Sequence, residues 1–204
     1  PDVALERSFD LALRAHRRAQ GGRGSGYDVA TSFLGGRGLF RGGNRPTIEA
    51  TAMPWLPDCY VYRGPKAVST PEAIARYTAW KNRSPAEARE FLSQSNAAAM
   101  ALAKAGSWED AREALLRSKA ISLELGCALG VGADPSLFHP ESGFEEIADA
   151  VSSMAEKDYL VKSLGAGNET GLLFVRHPSN EPHHLLVASG MDHLEISPTG
   201  VRFL

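Results

Sequence analysis

Apolar residues recur at helical spacing at the start of the chain, at Leu5, Phe9, Leu13 and, on the same face, His16. This spacing predicts an amphipathic helix from Val3 to Gln20, and Gly21-Gly22 is a common way for a helix to end. The chain enters this helix almost at once and has no initiator Met. We therefore expect the sequence to be part of something larger.

Short runs of β-forming residues follow, separated by turn residues such as Pro54 and Pro57. The predicted strands are residues 37–41, 47–53 and 59–62. Because only short turns join them, we expect them to form one antiparallel patch.

The middle of the chain predicts four helices, each with a recognisable start. Three starts combine a Ser or Thr with a proline or an acidic residue: Thr70-Pro71-Glu72, Ser84-Pro85-Ala86-Glu87 and Ser107-Trp108-Glu109-Asp110. The helix after Ser107 is apolar enough to be predicted as largely buried. Ser142 with Glu145 predicts a fourth helix, which continues through Met154.

The C-terminal part returns to short apolar segments, which predict strands at residues 159–164, 171–175, 185–189 and 194–197, with residues 200–204 as a last strand or its tail. The order is helix, strands, helices, strands, so the pattern predicts an α+β fold with helices packed on antiparallel sheet. A domain boundary, if there is one, is expected between Tyr62 and Pro71.

Composition narrows the function classes. The 204 residues carry a net charge of −2, which gives no electrostatic reason to expect nucleic acid or a membrane as partner. Cys59 and Cys127 lie far apart without metal-ligand spacing, which favours a cytoplasmic protein. No segment has the length of a membrane span, and the N-terminus has no signal pattern.

The stretch from Gly21 to Asp28 is the first candidate site, since glycines expose backbone N–H groups and a helix follows. Arg23 could contact an anion, and Asp28 could accept a proton from a substrate hydroxyl. The structural alternative, which this stretch alone favours, is that Asp28 caps a helix that starts at Val29 and that the glycines make a tight turn.

Two other stretches are candidate phosphate sites. Lys162 leads into the glycine loop Gly165-Ala166-Gly167, whose structural alternative is a β-hairpin turn. Ser69 and Thr70 precede a helix and Lys66 lies just upstream, so these groups would suit a phosphate. Simple N-capping is the alternative there.

Histidines and tryptophans add no further site. The six histidines, His16, His139, His177, His183, His184 and His193, show no metal-ligand spacing, so they are predicted to be structural or surface residues and no metal site is predicted. On a predicted strand, His183 and His184 would point to opposite faces. The three tryptophans are predicted packing anchors.

Taken together, the three candidate stretches resemble the GHMP small-molecule kinase superfamily. Residues 16–30 resemble the "A-H-x-x-A-Q-G-x-x-G-S-G-F/Y-D-V-A" pattern of its phosphomevalonate kinases. Residues 66–71 are similar to that family's "K-A-S-T-P" segment, and residues 162–167 to the superfamily's third motif. Two features depart from the pattern: Asn168-Glu169-Thr170 replaces further glycines, and no P-x-x-x-G-L-G-S-S-A motif for ATP is present.

The resemblance implies phosphoryl transfer that uses ATP and Mg²⁺, with Asp28 as the catalytic group. It implies that the acceptor is held by Arg23, Ser25, Gly26, Lys66, Ser69 and Thr70, and that the glycine loop is formed by Lys162, Gly165, Ala166 and Gly167. The implied domains are a partial N-terminal lobe, residues 1–64, and a ferredoxin-like βα sandwich, residues 65–204.

Three functions remain open: a phosphomevalonate kinase-like enzyme, another superfamily member such as a mevalonate or sugar kinase, or a non-catalytic remnant that binds a ligand or partner. The missing ATP motif implies a further N-terminal segment or a second chain. The apolar face of Leu5, Phe9 and Leu13 is expected to be covered by such a chain or by dimerisation.

Overall fold

The computed structural model describes residues 3–22, 24–63, 69–130, 151, 154–164, 170–176, 180–197 and 199–200. The helices are α1 (Val3–Ala19), α2 (Tyr27–Leu34), α3 (Thr70–Arg83), α4 (Pro85–Lys104), α5 (Trp108–Leu129) and α6 (Asn180–Ala188). The strands are β1 (Gly38–Arg41), β2 (Thr47–Ala50), β3 (Asp58–Arg63), β4 (Tyr159–Leu164), β5 (Thr170–Val175) and β6 (Asp192–His193). The α+β prediction is confirmed.

Contacts divide the chain into two compact units. The first contains Pro1–Met53 and Glu195–Leu204, and the second contains Pro54–Leu194. By compactness β3 belongs to the second unit, although it precedes residue 64, at which the sequence pattern ends the first domain. The domain boundary between residues 64 and 65, which the family resemblance implies, stays a prediction.

The first unit packs α1 against α2 beside an antiparallel hairpin of β1 and β2. Phe9 meets Phe33 edge to face at 5.5 Å between ring centroids, and Leu13 and Ala30 are buried. The expected apolar face of α1 is therefore partly covered within its own unit. Leu5 and Phe9 also line an open cleft of about 410 Å³.

The second unit contains a four-stranded antiparallel sheet in the order β4-β5-β3-β6. Its buried core joins three strands with α6 and the segments beside them: Tyr60, Tyr62, Val151, Val161, Leu173, Val175, Leu186 and Met191. Gly171 lies opposite Tyr62 in the β3–β5 register, and a Cβ at this glycine would stand 2.0 Å from the tyrosine Cζ. A glycine is required there because the tyrosine ring lies across it.

The helices of the second unit begin largely as predicted. Ser107 is the N-cap of α5 as predicted, whereas the N-cap of α3 is Ser69, one residue before the predicted Thr70. Each serine hydroxyl accepts a backbone N–H from three residues later. Ser84 precedes Pro85 at the start of α4 but makes no side-chain capping bond, so the predicted capping box does not form. α5 is less buried than predicted, because Leu116 is 41% exposed and its later leucines are only half-buried.

Three strand predictions were wrong. Residues 185–189 lie on the last part of α6 and at its end. These residues go around the helix, so only Leu186 is buried, and Leu185 and Val187 on either side of it are exposed. Residues 194–197 contain no strand; the strand there is β6, two residues long and one step earlier. β3 pairs with β5 and β6, so it is not part of a patch with β1 and β2.

Some predictions cannot be compared with the structure. The helix predicted from Ser142 lies outside the described residues except near Val151 and Met154, and the tail after Gly200 lies outside them as well. In the part of the chain that is described, no helix combines the length and the apolar character that crossing a membrane requires.

Candidate active site

The glycine-rich loop between α1 and α2 is shaped by its packing on α1. Gly21 and Gly22 adopt left-handed φ values of 64° and 81° where α1 ends. Gly24 and Gly26 are buried, and both lie against side chains of α1. A Cβ at Gly24 would stand 2.5 Å from Gln20 Oε1, and one at Gly26 would stand 2.3 Å from Leu13 Cδ1. The local fold alone therefore requires glycine at these four positions.

Arg17 ties the loop to the hairpin of the same unit. Its Nε donates to the Gly24 carbonyl at 3.2 Å, and its two terminal nitrogens donate to the carbonyls of Asn44 at 2.6 Å and Gly43 at 2.5 Å. One guanidinium thus satisfies three carbonyls on two loops, a geometry that suits its planar fork of donors. The sequence pattern gave this arginine no role.

Asp28 does not cap a helix. α2 begins at Tyr27, and the N-cap position is Gly26, which has a φ of 78° and makes no side-chain capping bond. Asp28 is therefore the second residue inside the helix, and the capping hypothesis was wrong because the helix starts two residues earlier than the apolar run indicates. Its side chain is 53% exposed.

The carboxylate of Asp28 lies among polar neighbours from both helices. His16 Nε2 lies 3.9 Å from Asp28 Oδ2, and the His16 side chain is 20% exposed. The pKa of the Tyr27 hydroxyl is raised by burial and also by a hydrogen bond to Asp28 and by its charge. The N-terminal end of α2 favours a negative charge at this position. An exposed carboxylate of this kind can accept a proton or orient a hydroxyl.

Ser25 and Gly26 flank this carboxylate in the same unit. Ser25 is exposed, and its Oγ accepts a long contact of 3.4 Å from the Tyr27 N–H. Gly26 is enclosed by Leu13 and Pro46, so it shapes the base of the loop. Arg23 lies outside the described residues.

The other predicted phosphate-binding residues belong to the second unit. The exposed Ser69 hydroxyl accepts the Glu72 N–H at 3.4 Å, so the N-capping alternative is confirmed for this residue. Thr70 is the first residue of α3. Lys66 lies outside the described residues, as do Gly165, Ala166 and Gly167.

Lys162 lies near the end of β4, opposite Leu172 of β5. Burial lowers the pKa of its ammonium group, and the positive charge of Lys119 lowers it further. Bringing two lysines together is unfavourable unless an anion or another group compensates them. Both lysines make other interactions within the protein.

The described residues contain no group of three or more His, Cys, Asp or Glu side chains placed to hold a metal ion. Three of the histidines have structural contacts. Tyr60 Oη lies 2.7 Å from His183 Nδ1, and His193 Nε2 lies 3.2 Å from Asp58 Oδ1. His183 and His184 are on a helix and not on the predicted strand; their rings meet edge to face.

The first unit thus brings Ser25, Gly26 and Asp28 together, whereas Ser69, Thr70 and Lys162 are described within the second unit. The sequence pattern missed His16 and Tyr27 as neighbours of Asp28. Tyr27 was adjacent in sequence, so its contact was open to prediction. The place of His16 depends on how the loop folds back on α1.

Comparison with solved structures gives the fold. A Lin0012 protein from Listeria innocua superposes with a TM-score of 0.74 at 22% identity, over 97% of this chain and 60% of that one. Mevalonate kinase from L. major, solved with R-mevalonate, gives a TM-score of 0.59 at 15% identity, over 89% of this chain and 56% of that one. Phosphomevalonate kinase from Streptococcus pneumoniae, solved with phosphomevalonate and AMPPNP, gives 0.49 at 15% identity, over 74% and 42%.

Comparison with family models found no match, and comparison with curated proteins found none either. The chain spans 60% and 56% of the lengths of the first two structures. At these identities the likeness concerns the fold. The chain has a mixed α+β fold that is similar to the fold of the L. major mevalonate kinase.

Proposed function

We propose that this chain is the acceptor side of an ATP-dependent small-molecule kinase of the GHMP type. The acceptor would be a small acidic alcohol or a phosphate, as in phosphomevalonate kinases. One observation carries the proposal: Asp28 is an exposed carboxylate that caps no helix, next to His16 and Tyr27, in a kinase-like fold. An exposed carboxylate that is not used as a helix cap is accessible to an acceptor, as a catalytic group must be.

With an alcohol as acceptor, Asp28 takes the hydroxyl proton or orients the hydroxyl. The acceptor oxygen then forms a bond to the γ-phosphorus of ATP. The bond from this phosphorus to the β,γ-bridging oxygen breaks, and ADP leaves with the electron pair. Catalysis of this type consists mostly of positioning and charge stabilisation.

Phosphate groups would be held by the cations and hydroxyls that the sequence pattern indicates. In the second unit, the ammonium of Lys162 and the hydroxyl of Ser69 are candidates, the latter at the start of α3. Arg23, Lys66 and the loop from Gly165 to Gly167 remain candidates from sequence. These roles rest on the resemblance.

Mg²⁺ is expected with ATP, since it bridges the phosphates and neutralises the developing charge. The described residues offer no preformed protein cage for it. Mg²⁺ sites in kinases usually combine one or two carboxylates with substrate phosphates and water. We therefore expect the ion to bind together with ATP, while the residues of this chain act on the acceptor.

The activity would need more polypeptide than this chain. The sequence lacks the P-x-x-x-G-L-G-S-S-A motif that binds ATP in the superfamily. A further N-terminal segment, or a second chain, would supply it. Such a segment or a second copy would also cover the cleft lined by Leu5 and Phe9.

The test uses the full-length protein and measures ATP consumption with phosphomevalonate, mevalonate and a panel of sugars. Asp28→Asn keeps the shape and removes the basic carboxylate, so we expect kcat with an alcohol acceptor to fall by about 10²- to 10⁴-fold. Asp110→Asn is the control, because Asp110 is also an exposed aspartate in the first turn of a helix, and asparagine there can still accept the hydrogen bond that the Ser107 hydroxyl donates to Asp110.

A loss below about tenfold in Asp28→Asn would show that Asp28 is not the base. An inactive full-length protein that still binds one of these acceptors would instead support the second candidate, a non-catalytic relative. That candidate is favoured by the packing of the loop glycines on α1, which requires no ligand.

A further inference from the structure

His16 is the side chain of α1 that reaches toward the candidate catalytic carboxylate. We propose that His16 is a positioning residue, which holds one oxygen of Asp28 through Nε2 so that the other oxygen faces the acceptor hydroxyl. This inference rests on the proposed function, because it concerns how the proposed base is oriented.

The imidazole is held in place by its surroundings. It lies in the last turn of α1 against the backbone of Gly24, where a Cβ would stand 3.0 Å from His16 Cδ2 and 3.1 Å from Nε2. Gln20 lies against the same glycine, 2.5 Å from the same Cβ position. Glycine at position 24 therefore leaves the space in which the ring can approach the next helix.

The geometry is close to that of a hydrogen bond. His16 Nε2 and Asp28 Oδ2 are 3.9 Å apart, and a movement of about 1 Å would bring them to hydrogen-bond distance. We expect this hydrogen bond to form when substrate binds, because hydrogen bonds at catalytic groups often tighten in the substrate complex. Since His16 is mostly buried and Asp28 is half-exposed, the ring is the fixed partner and the carboxylate is the one that turns.

A carboxylate that is held by one oxygen presents the other in a defined direction. Tyr27 adds a second restraint from the helix of Asp28 itself. A misplacement of about 1 Å in a catalytic group can cost about 10²-fold in rate. Removing the contact from His16 should thus lower kcat and leave KM nearly unchanged.

Two variants separate positioning from mere filling of space. In His16→Gln the side-chain nitrogen takes the place of Nε2, whereas in His16→Asn it takes the place of Nδ1 and cannot reach Asp28. Both side chains are polar and no larger than histidine, so neither collides with the backbone of Gly24. His184→Gln is the control, because His184 is an exposed histidine of the second unit.

The variants are measured in the full-length protein with the acceptor that gives the highest activity. We expect His16→Gln to keep kcat within about fivefold of wild type and His16→Asn to lose about 10- to 100-fold, with KM changed by less than about threefold in both. When Asp28→Asn is already present, adding His16→Asn should lower kcat by less than about a further twofold, because the carboxylate that His16 contacts is already absent.

Two results would overturn the positioning role while leaving the proposed function intact. One is that Gln and Asn at position 16 have equal activities. The other is that His16→Asn costs the same in the Asp28→Asn background as in wild type, which indicates a structural role. An inactive wild type overturns the proposed function and this inference together. An Asp28→Asn variant that loses less than about tenfold in kcat overturns the base role of Asp28, and with it this inference, but leaves the kinase activity in place.

Discussion

Gly26→Ala tests whether the loop that carries Asp28 is packed on α1. Gly26 has a φ of 78°, so alanine there costs about 1–2 kcal/mol for the left-handed backbone. The new Cβ would also stand 2.3 Å from Leu13 Cδ1, and Leu13 is buried. Overpacking of this kind typically costs about 1–3 kcal/mol more. The free energy of unfolding of the first unit should therefore fall by about 2–5 kcal/mol.

Gly22→Ala is a close control. Gly22 has a φ of 81°, and no atom lies within 4 Å of the position of its Cβ. It therefore incurs the backbone cost alone, about 1–2 kcal/mol. The difference between the two variants isolates the overlap with Leu13, and it corresponds to about a 5- to 140-fold change in an opening equilibrium.

The assay must report on the first unit. Trp55, Trp80 and Trp108 all belong to Pro54–Leu194, so tryptophan fluorescence follows the second unit. Native-state hydrogen exchange of the Ala30 amide is suitable, because this amide donates to the Gly26 carbonyl at 3.0 Å. Equal protection of Ala30 in the two alanine variants would refute the packing of the loop on α1.

A rescue variant adds a second check. Leu13→Ala removes the atoms that the new Cβ would meet, so in the double variant the two costs should be less than additive. Strict additivity would mean that Leu13 and residue 26 do not meet.

Two further predictions concern one cation in each unit. Arg17→Gln removes donors to the carbonyls of Gly24, Gly43 and Asn44, so the free energy of unfolding of the first unit, measured by hydrogen exchange, should fall by about 1–2 kcal/mol. In the control Arg14→Gln one bond to Asp10 is lost, and the change should be less than about 0.5 kcal/mol. Equal effects of the two variants would contradict the role of Arg17 in joining the two loops. Lys162 has a folded-state pKa below 10.5, so the unfolded state binds more protons up to that pH and the contribution of Lys162 to stability rises with pH. Between this lowered pKa and pH 10.5, the free energy of unfolding from urea titrations should therefore rise less with pH in Lys162→Met than in wild type. Parallel plots of this free energy against pH for the two proteins would refute the shift. The raised pKa values of Tyr27 and Tyr60 lower stability above pH 10, equally in both proteins.

Local signals predicted much of the fold. A Ser or Thr before a proline or an acidic residue marked the start of α5 and, within one residue, that of α3, because a hydroxyl that accepts a free N–H is a local interaction. The bounds of β4 were also predicted, from an apolar run between turn residues. Pairing was not predictable in the same way. β3 pairs with β5, more than a hundred residues later, and no short-range pattern contains that partner.

The error at residues 185–189 has a related cause. A short apolar run is compatible with a strand or with a buried helical turn, and periodicity alone does not separate the two. The structure shows a helix in which Leu186 enters the core and its two neighbours stay exposed. The burial that decides between these conformations comes from the sheet, which is distant in sequence.

The candidate site shows the same division between local and distant information. Asp28 was predictable because a carboxylate after glycines at a helix start is a local pattern. His16 precedes it by twelve positions and reaches it only because Gly24 lets the loop lie against α1.

The structure changes the interpretation of the glycines and of the aspartate of this loop in opposite ways. By itself, the sequence of this stretch favoured a helix cap at Asp28 and a tight turn at the glycines over an anion-binding loop with a catalytic carboxylate. The structure gives Gly24 and Gly26 a packing role, gives Gly21 and Gly22 a left-handed backbone conformation, and takes the capping role away from Asp28. Because the glycine pattern is explained without a ligand, it no longer supports a phosphate site by itself. The case for chemistry therefore depends on the exposed carboxylate and its neighbours, and the comparison of Gln with Asn at position 16 tests that case directly.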